Sequence, residues 1–246
     1  MKPVASPCHW LVAHRGWPAR YAENSLEGMA AVVEAGARWV ELDVQITADG
    51  HPVVIHDDRL ERLTGSAQQL TRLTRADLET KPILHKDGTP ARIPDLAQAL
   101  DLVAGYPKVR VFVELKRQSI HRHGLEFATR RVVDAMRAAE CDGVFISFDA
   151  RAAGLARKLG AHSIGWVVRC WWPGARWRAH RLTPDYLFIR ADRIPQRSNP
   201  LWPGPWSWVA YGVSTLQEAL SIYQAGIDLV EVDDLPGMVE AAVETG

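Results

Sequence analysis

The residues best equipped for chemistry in this 246-residue chain lie between Trp39 and Asp58, in the run WVELDVQITADGHPVVIHDD. Glu41 and Asp43 stand two apart in a segment of strand character, so both carboxylates point to one face while Leu42 and Val44 point to the other. Two acids on one face among apolar neighbours are costly to bury without a cation, and a divalent metal balances both at once. Val53-Val54-Ile55 then rebuilds an apolar strand that delivers His56 to its end, followed by Asp57 and Asp58. Imidazole exchanges protons near neutrality, so this grouping suits general acid/base work beside a metal.

Two further strand ends carry partners for these groups. Leu11-Val12-Ala13 runs into His14-Arg15-Gly16, and Val111-Phe112-Val113 runs into Glu114-Leu115-Lys116. Ionisable residues gathered where apolar strands end are the mark of a parallel α/β enzyme whose site lies at the carboxyl edge of the sheet.

The elements that must position these groups follow a repeated strand-then-helix order. Nine candidate strands begin near residues 11, 39, 53, 109, 143, 163, 186, 209 and 229, with helical patterns at 25–34, 96–104, 124–139, 150–159 and 215–224. This order predicts a (β/α)8 TIM barrel forming a single domain over residues 1–246, with one strand surplus to the eight a barrel needs. Asn24 with Glu27 three residues on reads as a capping box for the first helix, with Gly36 as its stop. Only Gln45 to His51 separate the strand bearing Glu41 from the next, too few for a crossover helix. Asp49-Gly50 favours a hairpin. A hairpin, however, is expected to carry His56 back toward the wrong end of the barrel, so a parallel strand reached by an extended excursion is preferred. The stretch Arg59 to Pro90 is polar and broken, with at best a short capped helix at Leu73–Leu78.

Composition narrows the function classes. A hydrophobic content of 47% with 24% charged residues suits a globular protein with an ample core. Zero formal net charge leaves no global field for nucleic acid or an anionic membrane, so phosphate recognition must be local. Cys8, Cys141 and Cys170 are odd in number and lack CxxC spacing, which argues against a disulfide framework or zinc site and for a reducing cytoplasm. No signal-peptide core and no apolar run of about 20 residues is present, so a soluble, unprocessed protein without stable membrane insertion is expected. The oligomeric state is left open.

Several of these runs together are specific. AHRG (13–16), AENS (22–25), VELDVQITADGHPVVIHDDRLERLTG (40–65), IPDLAQAL (93–100), VELK (113–116), FISFD (145–149) and AGIDLVEVDDLP (225–236) give a chain that resembles the glycerophosphodiester phosphodiesterase family over nearly its whole length. The resemblance implies a barrel holding one divalent cation, Mg²⁺ or Ca²⁺, on Glu41, Asp43 and Glu114. It implies His14 and His56 as the acid/base pair, with Arg15 and Lys116 on the phosphate. Hydrolysis of a small glycerophosphodiester would give glycerol 3-phosphate and an alcohol, by first attack of the glycerol hydroxyl to a cyclic phosphate. Lysophospholipase D activity and a non-catalytic phosphodiester-binding barrel are the alternatives. Taken singly, Arg15 could be a structural ion-pair partner and Lys116 a solvent-facing residue.

The closing strands depart from the family's pattern. Tyr211-Gly212 stands where relatives show Trp-Thr, and Asp233-Asp234 where they show Thr-Asp. The extra carboxylate at Asp233, on one strand face with Glu231, would favour a cationic alcohol such as choline or ethanolamine, or pair with an arginine near Arg190 or Arg193. Arg169 to Arg181 and Gln196 to Trp208 concentrate Trp, Pro and Gly. Anchoring on the barrel is the favoured role for these aromatics, with peripheral lipid contact through Trp-rich loops as the alternative.

Overall fold

The computed structural model of the protein describes residues 6–194 and 201–244. Met1 to Ala5 and the Gln196–Pro200 part of the second Trp-, Pro- and Gly-rich stretch lie outside the described residues. The strands are β1 (Leu11–His14), β2 (Trp39–Ile46), β3 (Pro52–Val54), β4 (Ile83–Leu84), β5 (Pro90–Ala91), β6 (Arg110–Leu115), β7 (Asp142–Ser147), β8 (Ser163–Val168), β9 (Tyr186–Arg190), β10 (Ser207–Val213) and β11 (Leu229–Val232). The helices are α1 (Leu26–Glu34), α2 (Glu61–Thr64), α3 (Arg75–Leu78), α4 (Leu96–Ala104), α5 (Arg117–His123), α6 (Leu125–Ala138), α7 (Ala150–Lys158), α8 (Pro173–Leu182), α9 (Leu216–Gln224) and α10 (Leu235–Glu244).

Eight strands form a closed parallel barrel. The order β1-β11-β10-β9-β8-β7-β6-β2 closes through the β1–β2 pairing, with β3 outside the ring. The fold is thus the (β/α)8 barrel expected from the alternation, and β3 is the surplus strand. Its orientation corrects the expectation: β3 pairs with β2 antiparallel, in the register Val44↔Val54 and Ile46↔Pro52. The physical reason is an overhang. β2 pairs with β6 from Trp39 to Val44 and then continues to Ile46, rising above the barrel mouth. A three-residue return therefore descends only to the mouth, where the Ile55 amide donates to the Asp43 carbonyl at 2.9 Å. The Asp49-Gly50 signal was the correct one.

Inward residues alternate with outward ones along each strand, as the pleat requires. Val12, Phe112, Val144, Val167, Phe188 and Val209 are among those that fill the barrel interior. Phe112 stacks on Trp39 at 5.2 Å and meets Tyr186 and Phe188 edge-on at 5.1 and 5.0 Å, a rigid apolar floor beneath the polar residues of the mouth. Each such ring pair contributes about 0.5–1.5 kcal/mol beyond area burial. Outward residues of the strands pack against the helices in a second, larger core.

The polar stretch after His56 is better organised than its sequence suggests. Val53, Ile55, Leu60, Leu70, Leu78 and Ile83 belong to a core of their own, holding α2, α3 and the β4–β5 ribbon over one side of the mouth. Thr74 and Asp77 form the expected cap of α3. The cap of α1 differs from expectation: Ser25 is the N-cap, accepting from the Gly28 amide at 3.1 Å, which leaves Asn24 free for another task. Trp166, Trp202, Trp206 and Trp208 are buried, and Trp171 stacks on Trp202 at 4.1 Å, so these aromatics anchor loops on the barrel.

Candidate active site

All seven residues singled out in the sequence converge at the carboxyl end of the barrel strands. Register places His14 opposite Glu41 and Asp43 opposite Glu114. Carboxylate oxygens of Glu41, Asp43 and Glu114 lie within 4.8 Å of one another, and all three residues are buried. Glu231, two residues above the floor residue Leu229 on β11, is also buried. Four buried carboxylates thus face two cationic side chains, Arg15 and Lys116.

The ion pairs are uneven. Lys116 Nζ lies 3.0 Å from Asp43 Oδ1 and 2.8 Å from Glu114 Oε1, and Arg15 Nε lies 2.9 Å from Asp43 Oδ2. Lys116 is therefore buried between two acids and does not face solvent. Burial opposes the charge of Asp43, but Lys116 and Arg15 overcome it and hold this carboxyl well below its ordinary range. The same contacts raise Lys116 and Arg15 against the effect of their burial. Glu41 fares otherwise. Burial, together with Asp43, Glu231 and Glu114, pushes its carboxyl well above the usual range. Glu41 Oε2 is buried with no hydrogen-bond donor, and His14 Nε2 stands 3.9 Å from it. Burial, countered by His14, carries Glu231 up to about 7. An orphaned carboxylate oxygen within an all-oxygen cluster of excess negative charge fits a hard divalent cation, for which Glu41, Asp43 and Glu114 supply the donors.

Both histidines are held through Nδ1 by a carboxylate. His56 Nδ1 donates to Asp57 at 2.6 Å, and His14 Nδ1 donates to Asp233 at 2.7 Å. An ionised carboxylate only accepts, so each contact fixes the proton on Nδ1 and leaves Nε2 for the site. Burial works against a charged His14, yet Asp233 and Glu231 together raise its pKa above the ordinary value. Asp57 is steadied in turn by Arg62 of α2, whose Nε donates at 2.7 Å. Arg62 also forks onto Glu23 at 2.7 Å through both terminal nitrogens, and Glu23 accepts from Arg15 at 3.2 Å. The excursion after β3 thereby braces the mouth through one continuous set of charges.

Backbone geometry explains the His-Arg-Gly run. Arg15 has φ of 56° and Gly16 of 80°, a left-handed pair that swings the chain sharply off β1. A Cβ on Gly16 would sit 2.9 Å from the Gly28 carbonyl carbon, so only glycine fits there. Next to the acids, a cavity of about 410 Å³ opens between His56, Glu114, Lys116, Arg117, Phe148 and Arg169.

Residues 14–193 match the glycerophosphoryl diester phosphodiesterase family. The chain belongs to that family of phosphoric diester hydrolases. A glycerophosphodiester phosphodiesterase of Caldanaerobacter subterraneus subsp. tengcongensis is 27% identical over 236 residues, covering 91% of this chain and 93% of the relative. One from Bacillus altitudinis is 31% identical over 157 residues, covering 62% of this chain and 63% of the relative. Among solved structures, an Oleispira antarctica phosphodiesterase in complex with the product sn-glycerol-3-phosphate superposes with a TM-score of 0.82 at 23% identity, covering 96% of both chains.

This member of the phosphodiesterase family adds two residues to those read from sequence. Asn24, in the left-handed region at φ 62°, donates from Nδ2 to Asp43 Oδ2 at 3.0 Å and accepts from the Asp43 amide at 3.2 Å. Its place in the AENS run was the available signal. Asp233 is the second: it pairs with neither Arg190, which is engaged by Asp192, nor Arg193, which donates to the Arg169 carbonyl. Its nearness to His14 joins the first and last barrel strands.

Proposed function

We propose that this family member hydrolyses glycerophosphodiesters to glycerol 3-phosphate and an alcohol, acting as one catalytic domain over residues 1–246. The observation that carries the reading is the meeting of a buried three-carboxylate cluster with two Nδ1-anchored histidines at one barrel mouth. The relatives' activity, and the glycerol 3-phosphate bound by the Oleispira phosphodiesterase, support the substrate class.

Glu41, Asp43 and Glu114 would hold one divalent cation, Mg²⁺ or Ca²⁺. When bound, that cation supplies positive charge against the phosphoryl oxygens. Arg15 and Lys116 add charge on the phosphate from the opposite chemistry: a planar fork already fixed by Asp43 and Glu23, and an ammonium with a third N–H beyond its two acidic neighbours. His14 and His56 divide the proton work. One takes the proton of the attacking glycerol hydroxyl at Nε2 while the other gives its proton to the departing alkoxide; water then opens the cyclic phosphate with the two roles reversed, and Asp233 and Asp57 keep both rings turned for this. Cys8, Cys141 and Cys170 are free thiols, which supports a reducing compartment such as the cytoplasm.

The test is release of glycerol 3-phosphate from glycerophosphocholine and glycerophosphoethanolamine with Mg²⁺, Ca²⁺ or chelator, beside His56→Ala. Metal-dependent release that disappears in the variant is expected. Binding of either diester without release under every metal would replace the enzyme with a phosphodiester-binding barrel.

A further inference from the structure

The ten tryptophans are not equivalent. Trp172 and Trp177 are 53% and 60% exposed, whereas Trp166, Trp202, Trp206 and Trp208 are buried. Both exposed indoles belong to the segment Arg169–Leu182, comprising the β8–α8 connection and α8. This segment carries Arg169, Arg176, Arg178 and Arg181, all exposed, and contains no acidic residue in a chain of zero net charge. Its placement is specific. The connection leaves the carboxyl end of β8, and Arg169 lines the cavity that also holds His56, Glu114 and Lys116. Trp177 borders a surface hollow along the α7–α8 flank, which reaches Asp149 and Arg151 at the start of α7.

The indoles are held outward by local structure. The Trp172 ring lies over Gly174, where an added Cβ would come within 2.0 Å of it, so the ring uses the space a side chain would fill. The Arg181 guanidinium sits 4.9 Å from the centroid of the Trp177 ring, one helical turn on. Presented indoles between arginines match the chemistry of a lipid headgroup layer, in which the ring settles at the interface and the guanidinium pairs with phosphate.

We propose that the β8–α8 connection and α8 dock the barrel mouth on the surface of a bilayer rich in anionic phospholipid. Charge complementarity selects this partner: a local basic patch on a neutral protein is attracted to an anionic leaflet and indifferent to a zwitterionic one. The docked orientation faces the cavity toward the membrane, because Arg169 of the same segment lines that cavity.

The test is co-sedimentation of the full chain with phosphatidylcholine vesicles and with vesicles that are about one-third phosphatidylglycerol. Retention on the anionic vesicles alone, lost at about 0.5 M salt, is expected. Arg176→Gln with Arg178→Gln should weaken partitioning about thirtyfold, taking about 1 kcal/mol for each charge. Trp172→Ser with Trp177→Ser should abolish retention while leaving turnover of a soluble diester unchanged. Equal retention on both vesicle types, wild-type retention by both double variants, or retention on a single-stranded oligonucleotide with none on vesicles would each overturn the proposal. Soluble-diester turnover, measured in the same preparations, tests the phosphodiesterase reading separately.

Discussion

His14 Nδ1 lies 2.7 Å from Asp233 Oδ1, a contact between residues 219 positions apart that ties the end of β1 to the residue just beyond β11. Asp233 is more than half exposed at its side chain, while the histidine it holds is largely enclosed. It therefore acts on His14 from the solvent side and leaves the cluster side of the ring open.

Asp233→Asn keeps the shape and removes the charge. Because Asp233 raises the His14 pKa, its loss lowers that pKa, and whichever limb of the pH–rate profile reports His14 moves to lower pH. A kcat decrease of about 10–100-fold with little change in KM is expected. Steady-state kinetics across pH would show it, and an unmoved profile would reduce Asp233 to a surface residue.

His14→Ala and His56→Ala should each lower turnover by about 10²–10⁴-fold while the far-ultraviolet circular dichroism is unchanged. Both rings reach the mouth from strand ends and lie outside the apolar floor of Phe112 and its neighbours. Full activity in either variant would remove that histidine from the acid/base pair.

The orphaned Glu41 oxygen makes a prediction about stability as well as activity. Ca²⁺ or Mg²⁺ should raise the melting temperature of the chelated wild-type protein, since binding to the folded state alone stabilises it. In Glu41→Gln the chelated protein should melt no lower than wild type, because the substitution relieves repulsion with Asp43, Glu231 and Glu114. The cation-induced rise should shrink or vanish. A full rise in this variant, read by calorimetry, would remove Glu41 from the donor set.

Glu23 gives a pH-dependent test through the two arginines it holds, Arg15 and Arg62. Burial would raise its pKa, but Arg62 and Arg15 lower it overall. A depressed carboxylate contributes stability that is present above its unfolded pKa and is lost as pH falls through the folded value. Relative to Glu23→Gln, the wild-type protein should be about 1–2 kcal/mol more stable at neutral pH. That advantage should fade on acidification below the ordinary glutamate range. Urea midpoints at several pH values would measure it, and a constant difference would contradict the linkage.

Much of the barrel was legible because strand and helix periods alternate cleanly and ionisable residues stop the apolar runs. The β3 orientation was not, because the height of a hairpin depends on how far β2 outruns its neighbour β6, and that length is a property of the assembled ring. Asn24 and Ser25 both suit a helix start, and only the left-handed backbone at Asn24 turns its amide to Asp43. The core of α2, α3 and the β4–β5 ribbon escaped detection because its apolar residues follow neither period 2 nor period 3.6. α5 and α8 were hidden by basic and aromatic composition. Asp233 stood out as a departure, but its partner lies across the closure of the barrel and no local pattern points there.

That closure has a consequence for how the protein becomes active during folding. β2 and β6 can pair early and bring Asp43 and Glu114 together, so the acidic cluster can assemble on an open, unfinished sheet. The charged anchor of His14 cannot, because it waits for β11 to seal against β1. Glu41, Asp43 and Glu114 thus depend only on β2 and β6, whereas Glu231 and the carboxylate anchor of His14 both depend on β11 meeting β1, so the tuned histidine reports completion of the ring. Such long-range pairing is slow to form, since loop closure is paid before the contact rewards it.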